Sequence, residues 1–183
     1  AWVAVAAARL KGTRVRVCTV AGFPPGATTA RQKAFEASSA LEDGALEVDT
    51  VLPIGAALAG DWGAVETELA LLRKAVPLGH AVLKVILETS LLDEAQKVQA
   101  CRIARDAGLD FVKTSTGFSS GGATEADVAL MRKAVGASCG VKASGGIRSY
   151  EDALRMVRAG ATRLGLSASL AVTRGAGGAT SGY

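Results

Sequence analysis

Ala107-Gly108-Leu109-Asp110-Phe111-Val112-Lys113 ends a segment of helical period at a glycine, makes a short turn and enters an apolar strand. The same order occurs in Asp43-Gly44-Ala45-Leu46-Glu47-Val48-Asp49 and in Ala159-Gly160-Ala161-Thr162-Arg163-Leu164-Gly165. Because glycine readily takes the left-handed conformation that ends many helices, each stretch indicates a passage from a helix to a strand. Three such passages predict a chain in which helices and strands alternate.

Apolar, β-branched runs of strand length occur six times, and segments of helical period separate them. Thr124 with Asp127, and Ser149 with Asp152, have the pattern of a helix N-terminus. Strict alternation predicts an α/β fold with a parallel sheet, either an open doubly wound sheet or a (β/α) barrel. The predicted strands are Val15 to Val20, Leu46 to Leu52, Ala81 to Leu87, Phe111 to Ser115, Gly140 to Ala143 and Thr162 to Leu166.

Composition limits the classes of protein to which the chain can belong. Its 183 residues are 49% hydrophobic and 21% charged, which is enough for one sizeable core. Basic and acidic side chains interleave and aromatic residues make up only 4%, so no nucleic-acid partner is expected. No apolar stretch is long enough to span a bilayer and no leader precedes the chain, so we expect a cytoplasmic protein without a membrane partner.

The cysteines and the single histidine remove several common kinds of site. Cys18, Cys101 and Cys139 are widely scattered, and we interpret them as small buried side chains in a reducing compartment. His80 lies in the turn-like Pro77-Leu78-Gly79-His80 and is expected to be solvated. Without a histidine cluster or a CxxC pair, the sequence predicts no metal site. Catalysis would then fall to lysine, aspartate, tyrosine and backbone amides.

The placement of polar side chains distinguishes the two parallel folds. Five of them lie at or just past the C-terminal parts of different predicted strands. A closed barrel gathers these strand ends on one rim, whereas an open sheet spreads them along a line. The barrel is therefore favoured. The five side chains are Asp49, Glu88, Lys113, Lys142 and Ser167.

Lys113 and Lys142 stand inside otherwise apolar strands. A lone ammonium group is costly to bury, so each must be paired, neutral or directed into a polar cavity. Two lysines facing one cavity lower each other's pKa, which favours the neutral amine that Schiff-base chemistry requires. On these residues alone, an ion pair at the barrel mouth with a carboxylate such as Glu88 is an equal alternative.

Asp49 and Lys84 raise a related question, because each is a charged residue in the middle of a strand. A carboxylate directed into a lysine-lined cavity can act as a proton shuttle. A structural partner for one of the lysines is the simpler interpretation of Asp49. For Lys84 we expect a structural or electrostatic role.

Three glycine-rich turns follow the late strands, at Thr116 to Gly122, Ser144 to Arg148 and Gly165 to Ser167. Glycines leave backbone N–H groups free to approach an anion, and barrels often bind a phosphate on the loops after their last two strands. Arg148 would add a charge-assisted contact. Beside two buried lysines, these turns indicate a sugar-phosphate substrate.

Several motifs occur in the order and approximate spacing found in the deoxyribose-phosphate aldolases, which the chain resembles over nearly its whole length. The resemblance implies a (β/α)8 TIM barrel and a class I aldolase without metal or organic cofactor. Such an enzyme reversibly cleaves 2-deoxy-D-ribose 5-phosphate to acetaldehyde and D-glyceraldehyde 3-phosphate. The motifs are Cys18-Thr19-Val20-x-Gly22-Phe23-Pro24-x-Gly26, Glu47-Val48-Asp49, Leu83 to Thr89, Phe111 to Phe118, Gly121 to Thr124 and Val141 to Arg148.

The resemblance also implies roles for individual residues. Lys113 matches the Schiff-base lysine, Lys142 the second lysine that lowers its pKa and relays protons, and Asp49 the carboxylate proton shuttle. The remaining matched positions bind substrate, and they are Gly117, Gly145, Gly146, Arg148, Gly165, Ser167 and the terminal Tyr183. Ala168 departs from the family, in which a second serine is common at this position.

The same comparison predicts how the chain is organised. Residues 1–173 would form the barrel domain, and the glycine-rich residues 174–183 a flexible C-terminal tail. The family's first two strands have no counterpart here, so we expect an N-terminally incomplete barrel that is poorly stable and weakly active alone.

Two alternative functions stay open. One is a different Schiff-base barrel aldolase, acting on a ketose phosphate. The other is a non-catalytic sugar-phosphate-binding barrel or an inactive barrel fragment. The expected partners are a small sugar phosphate and an aldehyde, and association of the chain into a homo-oligomer is left open.

Overall fold

In a computed structural model, residues 1–175 are described, and they form a single parallel sheet with its connecting helices. Tyr183 lies outside the described residues. The strands are β1 (Cys18–Ala21), β2 (Glu47–Val51), β3 (Val82–Ile86), β4 (Phe111–Lys113), β5 (Gly140–Ser144) and β6 (Arg163–Gly165). The helices are α1 (Val3–Leu10), α2 (Ala30–Glu42), α3 (Ile54–Leu58), α4 (Trp62–Ala75), α5 (Glu94–Asp106), α6 (Glu125–Val135), α7 (Tyr150–Arg158) and α8 (Ser169–Thr173).

The six strands are hydrogen-bonded in their chain order, from β1 to β6, and every neighbouring pair is parallel. Right-handed crossovers in a sequential sheet place all connecting helices on the same face. This is the arrangement of a barrel wall, and it contradicts the doubly wound alternative, in which the strand order reverses. All six predicted strands are confirmed.

The predicted helix ends are confirmed by their hydrogen bonds. The hydroxyl of Thr124 accepts a hydrogen bond from the Asp127 amide at 3.0 Å. Ser149 and Asp152 bond each other's amides, at 3.0 Å in both directions, and so form a capping box at the start of α7. The glycines that end the three repeats, Gly44, Gly108 and Gly160, all have positive φ, at 100°, 74° and 116°.

The first strand is shorter than predicted, because it begins at Cys18 and not at Val15. Its neighbour β2 begins at Glu47, the register partner of Cys18, so the residues before Cys18 have no strand beside them. The Val17 carbonyl still accepts hydrogen bonds from the amides of Leu46 and Glu47.

Apolar side chains of the strands and helices form one large core, which includes Val48, Val85, Leu69 and Met131, all fully buried. Along β2 and β3 these apolar residues alternate with charged ones. Because successive side chains of a strand point to opposite faces, the charged set is directed away from the helices, towards the concave face of the sheet.

Arginines connect the helices at the end of the sheet where the strands begin. Arg73, Arg105 and Arg132 lie in the last turns of α4, α5 and α6. Each donates to a carbonyl at the end of the next helix: Gly108 at 3.0 Å, Ala134 at 3.3 Å and Gly160 at 3.0 Å, respectively. Cations near helix C-termini are favoured by the helix dipole, so this arginine series stabilises the spacing of neighbouring units.

A buried ion pair lies at the C-terminal end of β2. Lys33 of α2 is fully buried, and its Nζ lies 2.6 Å from Glu68 Oε1 of α4 and 2.8 Å from the Val51 carbonyl oxygen. Burial lowers the pKa of Lys33 and raises the pKa of Glu68, against the attraction between the two charges. The pair therefore joins two helices to the strand that carries Asp49.

No helix among residues 1–175 is long and apolar enough to span a bilayer.

Lys33→Met is expected to lower the free energy of unfolding by about 3 to 5 kcal/mol, because it leaves the Glu68 carboxylate buried without a counter-charge. The double variant Lys33→Met/Glu68→Met removes both charges and should be more stable than the single variant. Urea unfolding of both proteins measures the difference. A double variant no more stable than Lys33→Met would contradict this account.

Candidate active site

One carboxylate on the concave face is surrounded by three lysines from three successive strands. Asp49 lies in β2, Lys84 in β3, Lys113 in β4 and Lys142 in β5. In the parallel register Asp49 lies opposite Lys84, and Lys113 lies opposite Lys142. The sheet thus brings together residues that are separated by up to 93 positions in the chain.

The two carboxylate oxygens of Asp49 have different partners. Oδ1 accepts a hydrogen bond from Lys84 Nζ at 2.8 Å. Oδ2 accepts from both Lys113 Nζ, at 2.9 Å, and Lys142 Nζ, at 2.8 Å. Lys84 is fully buried, whereas the side chains of Lys113 and Lys142 are 9% and 12% exposed, so only these two lysines can be reached from the cavity.

The charges of the cluster set its protonation. Burial alone would raise the pKa of the Asp49 carboxyl, but the cations of Lys113, Lys84 and Lys142 outweigh burial and hold this pKa well below its usual range. Burial lowers the pKa of Lys113, and the Lys142 cation lowers it further, against the opposing effect of Asp49. Lys113 is therefore inclined towards the neutral amine, which is the nucleophilic form.

Lys84 behaves in the opposite way because a second carboxylate faces it. Its Nζ lies 2.6 Å from Glu47 Oε2 as well as 2.8 Å from Asp49. Burial disfavours the ammonium form, but the Asp49 charge and the hydrogen bonds to both carboxylates outweigh burial and raise the pKa of Lys84. Lys84 is therefore a permanent cation, which agrees with its predicted electrostatic role.

Glu47 and Arg163 extend the charged cluster towards β6. Arg163 Nη1 lies 2.8 Å from Glu47 Oε2, and its guanidinium lies over the Phe111 ring, 5.2 Å from the ring centroid. Burial opposes ionisation of Glu47, but Lys84 and Arg163 prevail and lower the pKa of its carboxyl. Glu47 was not among the predicted site residues. The signal was its position two residues before Asp49, which places both carboxylates on one face of β2.

An ion pair between one of the two lysines and Glu88 was left open as an alternative, and it does not occur among residues 1–175. The residue follows β3 and is 3% exposed. Its Oε2 accepts hydrogen bonds from the backbone amide of Thr116, at 3.3 Å, and from the hydroxyl of the same residue. The lysines use Asp49 instead, which lies deeper in the sheet.

Cys18 was predicted to be buried and is exposed, because it lies on β1, at an edge of the sheet. Its Sγ lies 3.3 Å from Asp49 Oδ1 and 3.5 Å from Lys84 Nζ. Although the residue as a whole is exposed, its Sγ is partly buried against Asp49 and Lys84, and this burial and the Asp49 charge raise the pKa of the thiol. Cys101 and Cys139 are buried as predicted, and His80 is exposed. Within residues 1–175, no group of three or more His, Cys, Asp or Glu side chains could hold a metal ion.

The glycine turns after β5 and β6 are neighbours, since Ser144 pairs with Gly165 in the register of the two strands. Gly145 and Gly146 have φ of 86° and 77°, which L side chains rarely adopt. A Cβ on Gly165 would lie 3.2 Å from Lys142 Cε and 2.9 Å from Ser144 Cβ. Gly165 therefore makes room for the Lys142 side chain.

Ser167 and Arg148 are exposed on the same rim. The amides of Arg148 and Ser149 both donate to Asp152 Oδ2, at 3.0 Å. These two N–H groups are therefore not available to an anion. Any anion bound here would contact the glycine amides and the Arg148 side chain.

The turn after β4 contains two kinds of glycine. Gly117 has φ of 89° and open space on the side where a Cβ would lie. At Gly121 and Gly122, a Cβ would lie 2.5 Å from Ser90 Cβ and 2.5 Å from the Gly145 carbonyl oxygen, respectively. These last two glycines allow the loops after β3, β4 and β5 to pack together. They had been predicted as part of an anion-binding turn.

Comparison with known proteins matches the chain to a family of aldolases. The model of the DeoC/LacD family aldolases matches residues 3–182. Deoxyribose-phosphate aldolase from Lactococcus lactis subsp. lactis (strain IL1403) is 55% identical over 174 residues, which are 95% of this chain and 78% of that enzyme.

Solved structures with more than 30% sequence identity to this chain share its fold, among them two aldolases. The aldolase QR15 superposes with a TM-score of 0.88 at 39% identity, covering 94% of this chain and 76% of that one. Deoxyribose phosphate aldolase from Aeropyrum pernix, described as tetrameric, gives a TM-score of 0.86 at 36% identity, covering 94% and 73%.

Lys142→Met should raise the pKa of Lys113, because it removes a neighbouring cation, and Asp49→Asn should lower it, because it removes an anion. The measurement is the pH dependence of Lys113 modification by an amine-selective reagent, with the modified site identified by peptide mass analysis. Lys97→Met is the matched control, since Lys97 pairs with Asp127 between α5 and α6, outside the cluster. If the pKa of Lys113 shifted in the same direction in Lys142→Met and Asp49→Asn, the opposing effects assigned to Lys142 and Asp49 would be contradicted.

Proposed function

We propose that this chain, which belongs to the DeoC/LacD aldolase family, cleaves and forms 2-deoxy-D-ribose 5-phosphate through a Schiff base on Lys113. It is a deoxyribose-phosphate aldolase, with acetaldehyde and D-glyceraldehyde 3-phosphate as the other reactants. The observation that carries the assignment of residues is the shared oxygen, Asp49 Oδ2, which contacts both Lys113 and Lys142. A nucleophile, a second amine and a carboxylate are thus within one proton-transfer distance.

The reaction begins when the neutral Lys113 amine attacks the aldehyde carbon of the open-chain sugar. Loss of water from the resulting carbinolamine gives a protonated imine, which serves as an electron sink. Removal of the proton from the hydroxyl on C3 then breaks the C2–C3 bond and releases D-glyceraldehyde 3-phosphate. The electron pair of that bond forms an enamine on Lys113, which takes up a proton and is hydrolysed to acetaldehyde.

Asp49 and Lys142 are the proposed groups for these proton transfers. Asp49 Oδ2 lies 2.9 Å from Lys113 Nζ, so a proton can pass between the carboxylate and the reacting nitrogen. Lys142 Nζ donates to the same oxygen and can return the proton. Lys84 binds the other oxygen, and its fixed charge keeps the Asp49 carboxylate ionised and oriented.

The proposed phosphate site lies on the rim formed by the turns after β5 and β6. The glycines Gly145 and Gly146, both of positive φ, place backbone amides at this rim, and Ser167 supplies an exposed hydroxyl. Gly165 contributes by leaving space for Lys142, and Gly117 lies at the neighbouring turn. Arg148 would supply the positive charge.

Tyr183 belongs to the proposal only through the family resemblance, since it lies outside the described residues. The proposal also places the enzyme in the cytoplasm, which the three free cysteines support.

We further propose that the six strands are part of an eight-stranded barrel. Support comes from the two edges of the sheet, where β1 and β6 each pair on one side only among residues 1–175. Cys18 and Val20 of β1 are exposed, and a cavity of about 330 Å³ between the edges is lined by Arg16, Glu47 and Arg163, among others. A crystal structure of the protein in which no further strand pairs with β1 or β6 would contradict this closure.

Incubation with acetaldehyde and borohydride should attach a two-carbon adduct to Lys113, because reduction of the imine makes the bond permanent. Lys113→Ala should abolish both the trapped adduct and turnover, whereas Lys97→Met should retain them. Peptide mass analysis locates the adduct.

An adduct on Lys142 or Lys84 would show that the roles are assigned wrongly. Trapping by a ketose phosphate but not by acetaldehyde would support the different aldolase. Stabilisation by deoxyribose 5-phosphate without turnover would support the non-catalytic binding barrel.

Arg148→Ala is expected to raise KM for deoxyribose 5-phosphate by about tenfold or more, because one charge-assisted contact is lost. Activity on unphosphorylated deoxyribose should change much less. Arg158→Ala, in the last turn of α7, is the matched control for loss of an exposed arginine. Equal losses on both substrates would remove Arg148 from the phosphate site.

A further inference from the structure

Glu88 combines two unfavourable features at the rim of the site. It has φ of 53° and ψ of 65°, and it is the single non-glycine residue of positive φ in the described part of the chain. Its Oε1 is buried without a hydrogen-bond partner among residues 1–175. A left-handed backbone is strained for a non-glycine residue, and a buried acceptor without a partner also destabilises the folded state. Such costs persist where the residue serves a function.

The contacts of Glu88 organise the turn that follows the Lys113 strand. Its Oε2 accepts from the Thr116 amide at 3.3 Å and from the Thr116 hydroxyl. The Thr116 Oγ1 in turn accepts from the Phe118 amide at 3.0 Å. The hydroxyl proton and one acceptor position of Thr116 are thus both used, and the orientation of its side chain is fixed.

This arrangement leaves one amide of the turn without a partner. The N–H groups of Thr116 and Phe118 are bonded, but no group within residues 1–175 accepts from the N–H of Gly117, which lies between them. Gly117 has positive φ and open space beside its Cα. The turn also borders a cavity of about 400 Å³ whose lining includes Glu88, Thr116 and Phe118.

We propose that Glu88 is a positioning residue, which binds the flanking groups of the turn so that the Gly117 amide is presented to the phosphate of the substrate. The inference rests on the proposed function, since it names the group that the amide would contact. Glu88 itself touches neither the substrate nor Lys113. Its negative charge is not required, because a neutral amide oxygen can accept the same hydrogen bonds.

Glu88→Gly separates this role from a merely structural one. Glycine adopts the left-handed backbone without strain, so the variant removes the carboxylate while relieving the backbone cost. The melting temperature should be unchanged or higher than that of the wild type. KM for deoxyribose 5-phosphate should rise about tenfold or more, whereas activity on unphosphorylated deoxyribose and borohydride trapping on Lys113 should be retained.

Three further variants sharpen the test. Glu88→Ala loses the carboxylate but keeps the strain, so it should show the same KM at a lower melting temperature. Glu88→Gln should restore the wild-type KM, since its side-chain oxygen still accepts from Thr116. Thr116→Val keeps the shape but loses the hydroxyl, and it should raise KM in the same direction.

Binding in a Lys113→Ala background makes the test independent of turnover. Calorimetry should show that Lys113→Ala/Glu88→Gly binds deoxyribose 5-phosphate about tenfold more weakly than Lys113→Ala. Failure of the proposed function would be recognised by trapping of the Schiff base on another residue. The difference in affinity between the two proteins does not depend on that result. Equal affinity of the two proteins would overturn the role of Glu88. A rise in KM that follows the fall in melting temperature across the Glu88 and Thr116 variants would also overturn it.

Discussion

The site depends on an imbalance of charge on the concave face of the sheet. Lys84, Lys113 and Lys142 converge on the single carboxylate of Asp49, and only Lys84 has a second carboxylate, Glu47, in contact. Burying more ammonium groups than carboxylates is costly when every group is charged. Release of a proton from one lysine removes much of that cost. The fold therefore favours the neutral amine form of Lys113, the lysine proposed as the nucleophile.

The strand register decides which lysine becomes neutral. Glu47 and Asp49 are two residues apart on β2, so both face Lys84 on the neighbouring strand. Lys113 lies one strand further away, opposite Lys142, and the two amines must share Asp49 Oδ2. The contacts with two carboxylates outweigh burial and raise the pKa of Lys84, whereas burial and the neighbouring Lys142 cation lower the pKa of Lys113. A shift of register by one residue would direct these side chains to the opposite face.

Local features of the sequence were sufficient to predict the alternation of helices and strands and the helix caps at Thr124 and Ser149. They were also sufficient to identify Lys113 as a lysine within an apolar strand. Contacts between loops were not predictable in this way. The position of Glu88 after β3 made it a possible partner for a lysine. Its backbone is left-handed, and its carboxylate accepts a hydrogen bond from Thr116 instead. Gly121 resembles an anion-binding glycine, and only the packing of Ser90 against it shows the steric reason. The exposure of Cys18 follows from an edge position in the sheet, which its neighbours in sequence do not reveal.

The two ends of the sheet differ in how well their polar groups are satisfied. Where the strands begin, Arg73, Arg105 and Arg132 bond successive helices to one another through satisfied hydrogen bonds near helix C-termini. Where the strands end, the structure has a strained Glu88 with an unsatisfied carboxylate oxygen and an excess of buried cations. These features are each unfavourable, and a domain of marginal stability can retain only a few of them. The regular contacts at one end thus allow the other end to hold the unbalanced charges and free amides that the chemistry needs.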